Sequence, residues 1–235
     1  MTYEQINIQL KPILNGLIER LKSTEEDLNN QMEYYKNTHI DWLKNNDYRP
    51  GSFSRILSAI VASKFTAVKT IEYLNQDNWQ EDYRDNHMPA PWKEVDYFGH
   101  FKEIALLIRF HLIHSVYSQI ETTNRIIIRV KGLRTNTKPA TSVNELTNTY
   151  NQEFVKFIDF IRNTIHNNGF HYPNNPNNNS WTYNFNGKNF HFEVGQPIEL
   201  EFTDTMDIVH QMINDLINTL RHPDVENIGI TADIT

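Results

Sequence analysis

The chain has 235 residues, with 22 Lys and Arg against 29 Asp and Glu, a formal charge of −7. It contains no cysteine, which excludes disulfides, thiol nucleophiles, zinc ribbons and iron–sulfur clusters. Its longest apolar stretch, 104–117, is broken by Arg109, His111 and His114, so the sequence holds no run of about 20 apolar residues to span a membrane. The opening Met1-Thr2-Tyr3-Glu4-Gln5 has neither a basic n-region nor an apolar h-region, so the expectation is a soluble, cytoplasmic chain with no membrane partner. Only 8 glycines are present, which favours long helices over turn-rich β folds.

Residues 4–22 carry Leu10, Ile13, Leu14, Leu17, Ile18 and Leu21 at the period of an amphipathic helix. Ser23 and Glu26 have capping-box spacing. They predict a second helix with Leu28, Met32, Tyr35, His39 and Trp42 or Leu43 on one face, ending near Asn45-Asn46. Ser52 is the expected cap of a third helix to about Asn75, with Ile56, Ile60, Phe65, Val68, Ile71 and Leu74 inside. Residues 77–91 read as an ordered loop. From 93 to about 131 the pattern is helical again, with a bend expected near Thr122-Thr123-Asn124. After a basic loop at 131–140, Thr141 or Ser142 caps a helix striped by Leu146, Tyr150, Phe154, Phe157, Ile158, Ile161 and Ile165. That helix should end at Asn167-Asn168-Gly169, where Asn or Gly takes the left-handed cap conformation. Residues 181–185 and 190–194 alternate on either side of Asn186-Gly187, the signature of a hairpin with a type I′ turn. A last helix, capped by Thr203 or Asp204, carries Met206, Val209, Ile213, Leu216, Ile217 and Leu220 and stops at His222-Pro223. The expected fold is mainly α: a helical bundle of five or more helices with one β-hairpin inserted before the last.

The segment richest in chemistry is 159–169. At helical spacing Asp159, Arg162 and His166 share one face, and Asn163 adds an amide beside them. A guanidinium can hold the nonbridging oxygens of a phosphodiester, and an imidazole titrates where it can move the 2′-hydroxyl or leaving-group proton. His171 lies just beyond the cap as an alternative acid–base group. The plainer reading is that Arg and His sit near a helix C-terminus because its dipole favours cations there.

Arg-Asn followed closely by His at the end of an apolar helix resembles the HEPN superfamily of small helical bundles. The continuation is similar too: R-N-T-I-H-N-N-G-F, a polar loop, an aromatic hairpin ending F-E-V-G-Q-P-I, then an amphipathic helix, over roughly 95–222. The resemblance implies one HEPN-like domain over 1–235, with 1–76 an N-terminal helical extension packed on a 93–222 core. It further implies a bacterial, metal-independent endoribonuclease of a defence or toxin-type system, needing no cofactor. Such sites form where two protomers bring Arg–His pairs together, so a homodimer is expected, with RNA as substrate and a protein partner or antitoxin as regulator. Carried over, Arg162 holds phosphate, Asn163 orients it and His166 is the acid–base group. The family pattern places four to six residues between Arg and His, whereas three separate Arg162 from His166 and eight separate it from His171. Two expectations stay open: a nuclease with relaxed spacing, or a non-catalytic HEPN-like module that binds a nucleotide or protein.

Two further groups bear on function. His100, Glu103, Leu107, His111 and His114 lie on nearly one face of the long helix. Imidazoles and a carboxylate suit a transition metal, which would make the chain a metal-dependent hydrolase. No Glu-x-x-His or His-Glu-x-x-His motif accompanies them, so the stripe is expected to be structural, with no metal. A further option is that this face lines the same cleft as Arg162. Arg125, Arg129, Lys131, Arg134 and Lys138 form a local basic excess that suits an RNA backbone, or simply a solvated helix end. No phosphate-cradling glycine loop and no G-x-S-x-G nucleophile elbow occurs.

Overall fold

In the computed structural model, which describes residues 6–38, 47–87, 97–133, 138–167, 169–172 and 180–227, a π-helical turn Ile6–Leu10 leads into one long helix, α1 (Lys11–Thr38). The two helices expected here are a single one, because Leu14, Leu17, Ile18, Leu21, Thr24, Leu28 and Tyr35 stay in phase on one buried face. Continuous burial outweighs the local start signal at Ser23. Thr24 Oγ1 donates back to the Arg20 carbonyl at 3.0 Å, as a hydroxyl inside a helix does. His39, Trp42 and Leu43 lie outside the described residues.

α2 (Tyr48–Leu74) starts four residues before the expected Ser52 cap. Asp47 caps it, accepting the Arg49 N–H at 3.0 Å, and Pro50 falls in the first turn, where its missing N–H costs no helical bond. Ser52 is instead buried and shares a hydrogen bond of 2.9 Å with Thr123 on the next long helix. Phe65, expected inside, is 61% exposed. The expected loop at 77–91 contains a short helix, α3 (Trp79–Asp82), and a π-helical turn, Tyr83–His87.

α4 (Tyr97–Lys131) runs unbroken through Thr122-Thr123-Asn124, with the two threonine hydroxyls bonded to carbonyls four residues earlier. The next expected helix is two: α5 (Pro139–Thr147) and α6 (Gln152–His166). Asn148 turns left-handed (φ 50°), Asn144 Oδ1 accepts the Tyr150 N–H at 2.6 Å, and Asn151 caps α6 through the N–H groups of Glu153 and Phe154. Asparagine side chains that bond locally to backbone make this break, while the apolar spacing across it stays helix-like. α6 ends at Asn167, and Gly169 (φ 92°) donates back to Thr164 at 2.8 Å.

β1 (Ser180–Phe185) and β2 (Lys188–Glu193) pair antiparallel, Trp181 opposite Phe192 and Tyr183 opposite Phe190, and turn at Asn186 (φ 50°) and Gly187 (φ 82°). α7 (Phe202–Leu220) starts before both expected caps: Asp204 Oδ2 accepts the Glu201 N–H at 2.9 Å from the first turn. A short α8 (Pro223–Glu226) follows. The fold is thus a mainly α bundle with one hairpin ahead of its last long helix. α4 packs on α2, α5, α6 and α7, and the buried side chains of these elements join those of α1 in one apolar core. Among the described residues no helix is long and apolar enough to cross a membrane.

Candidate active site

α6 lies antiparallel to α4, as three contacts along their length show. Tyr150, just before α6, donates to Asn124 Oδ1 at 3.0 Å, Tyr117 donates to Asp159 Oδ1 at 2.9 Å, and the His114 and His166 rings meet at 5.4 Å. Arg162 and His166 therefore face α4. Asp159 is one turn from Arg162 yet is not its partner, since its two oxygens accept from Tyr117 and from Lys138 Nζ. Burial, and then the Asp159 charge, push the Tyr117 phenol above its ordinary value. The Arg162 guanidinium lies over the Tyr117 ring, 5.0 Å from its centre, and its Nε is buried with no hydrogen-bond partner. No ion pair to Arg162 occurs among the described residues.

His166 is exposed at a groove of about 470 Å³ between α4 and the end of α6, with Leu106, Phe110 and Ile165 among its apolar lining. Glu103, His111 and His114 form the α4 side, so the histidine stripe and His166 build one groove, with Arg162 one helical turn before His166 and outside its lining. The His114 ring is half-buried and stands nearly perpendicular, at 88°, to that of His166, with Nδ1 enclosed and unpartnered. Burial, and then the neighbouring His166 and Arg162, lower the His114 pKa below the ordinary histidine value, which favours the neutral imidazole. The His100 side chain lies outside the described residues, and among those described no three His, Asp or Glu are grouped to hold a metal ion.

The remaining candidates are placed differently. Asn163 is half-buried beside Arg162, and its carbonyl accepts from the Asn167 amide. His171 is 1% exposed, flat against Phe160 at 5.0 Å and edge-on to Phe192 at 5.4 Å, with neither ring nitrogen hydrogen-bonded. It is not brought to the groove, because past Gly169 the backbone turns onto the exit of the hairpin: the His171 N–H donates to Gln196 at 3.0 Å. Arg125 and Arg129 are exposed and Lys131 is half-buried at the far end of α4, while Arg134 lies outside the described residues. Arg125 pairs with Glu121 at 2.8 Å and stands eleven residues beyond His114, about 16 Å along the helix. The basic end is therefore separate from the groove. Sequence reasoning missed Tyr117 as the support of Arg162, for which its place one turn from His114 on α4 was the available signal; the option that the His114 face lines the cleft of the 159–169 segment agrees with the meeting of His114 and His166.

No protein-family model, curated protein or solved structure matches the chain.

Proposed function

We propose that the chain is a HEPN-like, metal-independent endoribonuclease acting in the bacterial cytoplasm, with Arg162, His166 and His114 as its catalytic residues. The observation that carries this reading is the guanidinium of Arg162. It stacks on Tyr117 beside two imidazoles and is left un-neutralised among the described residues, because Asp159 is engaged by Tyr117 and Lys138. An Arg so placed is available to the nonbridging oxygens of a phosphodiester and to the charge that grows as the phosphorane forms. Neutral His114 accepts the proton of the 2′-hydroxyl as its oxygen attacks phosphorus. The P–O5′ bond breaks, and His166 supplies the proton to the departing oxygen. The products are a 2′,3′-cyclic phosphate and a free 5′-hydroxyl, with no Lewis acid required. A second copy placing its own groove alongside, and a partner protein that restrains the activity in a defence or toxin-type system, belong to the same reading.

One observation favours a second reading, a non-catalytic HEPN-like module that binds a nucleotide or protein: only three residues separate Arg162 from His166. Incubation with mixed single-stranded RNA in EDTA separates the two. The nuclease yields fragments ending in 2′,3′-cyclic phosphate at an undiminished rate. A well-folded chain that cleaves no RNA, or cleaves only with added divalent metal, ends the nuclease proposal.

A further inference from the structure

A second groove, of about 710 Å³, runs between α2 and α4 on the far side of the ridge made by Leu107 and His111. Those two residues line both grooves, so the two form one continuous surface. Rings wall the second groove: Phe65 is 61% exposed, and Tyr73 and Tyr83 meet at 6.3 Å and 60°. At the rim Lys69 Nζ stands 5.6 Å from the Phe65 ring centre. Within this apolar wall lies one buried polar side chain that nothing satisfies. Ser63 is 2% exposed and its Oγ has no hydrogen-bond partner. Ser58, Thr66 and Thr70 on the same helix each turn their hydroxyl back onto a carbonyl four residues earlier, and Ser63 does not. A buried hydroxyl without a partner costs stability unless a ligand completes it.

The geometry points to a nucleobase as that ligand. Resting on the nuclease reading, the α2–α4 groove is the base site of the strand whose phosphate lies at Arg162 and His166. A base has a flat face for the aromatic wall and a donor–acceptor edge for Ser63, and it continues from the phosphate across the ridge at His111, one helical turn from His114. A base inside the groove is unstacked from its neighbours, so the substrate class is single-stranded RNA.

Calorimetric titration of the full chain with adenosine, guanosine, cytidine and uridine 5′-monophosphates, and with ribose 5-phosphate as the baseless probe, tests this. At least one nucleotide binds about tenfold or more tighter than ribose 5-phosphate. Thr66→Trp, at an exposed position where indole fills the groove, removes that advantage. Ser63→Ala weakens it several-fold, whereas His166→Ala leaves it intact. The proposal falls if no nucleotide outbinds ribose 5-phosphate, or if the advantage survives Thr66→Trp. It also falls if light scattering finds a dimer that Thr66→Trp dissociates, which assigns the groove to a second copy. Base-dependent binding without RNA cleavage keeps this site and ends the nuclease reading; cleavage without base-dependent binding does the reverse.

Discussion

On one side of α6, Phe154, Phe157, Ile158 and Ile161 are buried, and rings of the hairpin close over the two phenylalanines: Phe185 stacks on Phe154 at 5.4 Å, Tyr183 on Phe157 at 4.7 Å, and Phe190 meets Phe157 at 5.1 Å. On the other side, against α4, Arg162 Nε and His114 Nδ1 are enclosed without partners, and His166 stands open to solvent. The same helix thus carries a face where apolar contacts are complete and a face where polar groups are held but not satisfied. The first makes the second affordable, since aromatic burial fixes the position of α6 while unmatched donors on its far side cost stability. Functional polarity in this bundle leans on a support that does no chemistry.

The most severe way to break that comparison is to remove the support. Phe157→Ala deletes a ring in contact with Tyr183, Phe185, Phe190 and Phe192. It should lower unfolding stability by about 3–5 kcal/mol in urea denaturation, the usual range for a buried Phe. A loss below about 1 kcal/mol would mean that the hairpin does not anchor the helix. On the opposite face the pattern inverts. Arg162→Ala, His166→Ala and His114→Ala should each slow RNA cleavage by on the order of 100-fold, roughly 2.7 kcal/mol of barrier, while the melting temperature stays close to that of the parent chain. Variants that lose activity only in proportion to lost fold would return these side chains to a structural role.

The two faces were unequally legible in the sequence. The stripe Phe154 to Ile165 and the turn Asn186-Gly187 are local signals, one a period and the other a dipeptide whose residues tolerate positive φ, so the hairpin and the buried face of α6 could be read directly. The grouping of Asp159, Arg162 and His166 was legible as well, because helical spacing fixes it. What Asp159 does was not, since its partners Tyr117 and Lys138 lie 42 and 21 residues away and only the packing of α6 on α4 brings them in. The meeting of His114 with His166 has the same origin. The break at Asn148 was hidden for another reason: asparagine serves cap, turn and helix alike, and the apolar stripe kept its phase across it.

A smaller effect sharpens the contrast between satisfied and unsatisfied charge. Asp159 has two donors, whereas Asp215 on α7 is 5% exposed and, among the described residues, its carboxylate accepts from Gln211 alone, at 2.7 Å. Burial pushes the Asp215 pKa up to about 6, so the folded chain holds a proton that the unfolded chain, with a carboxyl of ordinary acidity, releases. A raised pKa contributes stability in full below the unfolded value near 3.8, and that contribution is lost as pH rises through about 6. Asp215→Asn removes the ionisation. It should match the parent at pH 3.5 and exceed it by on the order of 2 kcal/mol at pH 8 in urea denaturation. A variant no more stable than the parent at pH 8 would show that water or Gln211 already satisfies the carboxylate.

The last and smallest effect concerns the two histidines at the end of α6, His166 in the groove and His171 in the aromatic layer. His171 lies flat on Phe160, and burial lowers its pKa, so the folded chain resists a proton that the unfolded chain takes up near the ordinary histidine value. By the sign of this linkage its contribution is complete at neutral pH, and stability falls as pH drops through that ordinary value toward the depressed one. His171→Phe keeps the stacked ring and removes both unpartnered nitrogens. Leaving a buried polar group unsatisfied costs about 1–3 kcal/mol, and the extra ring volume of Phe takes back part of the gain. The variant should therefore gain about 1 kcal/mol at pH 7.5 and lose less stability than the parent between pH 7.5 and 5, while RNA cleavage is unchanged. Urea midpoints at the two pH values, with one cleavage assay, read all three. Unchanged acid sensitivity would move the proton uptake to His114, and lost cleavage with intact fold would move the acid–base role from His166 to His171. The combination of higher stability and full activity leaves His171 as packing and His166 as chemistry, which is the division the two faces of α6 already draw.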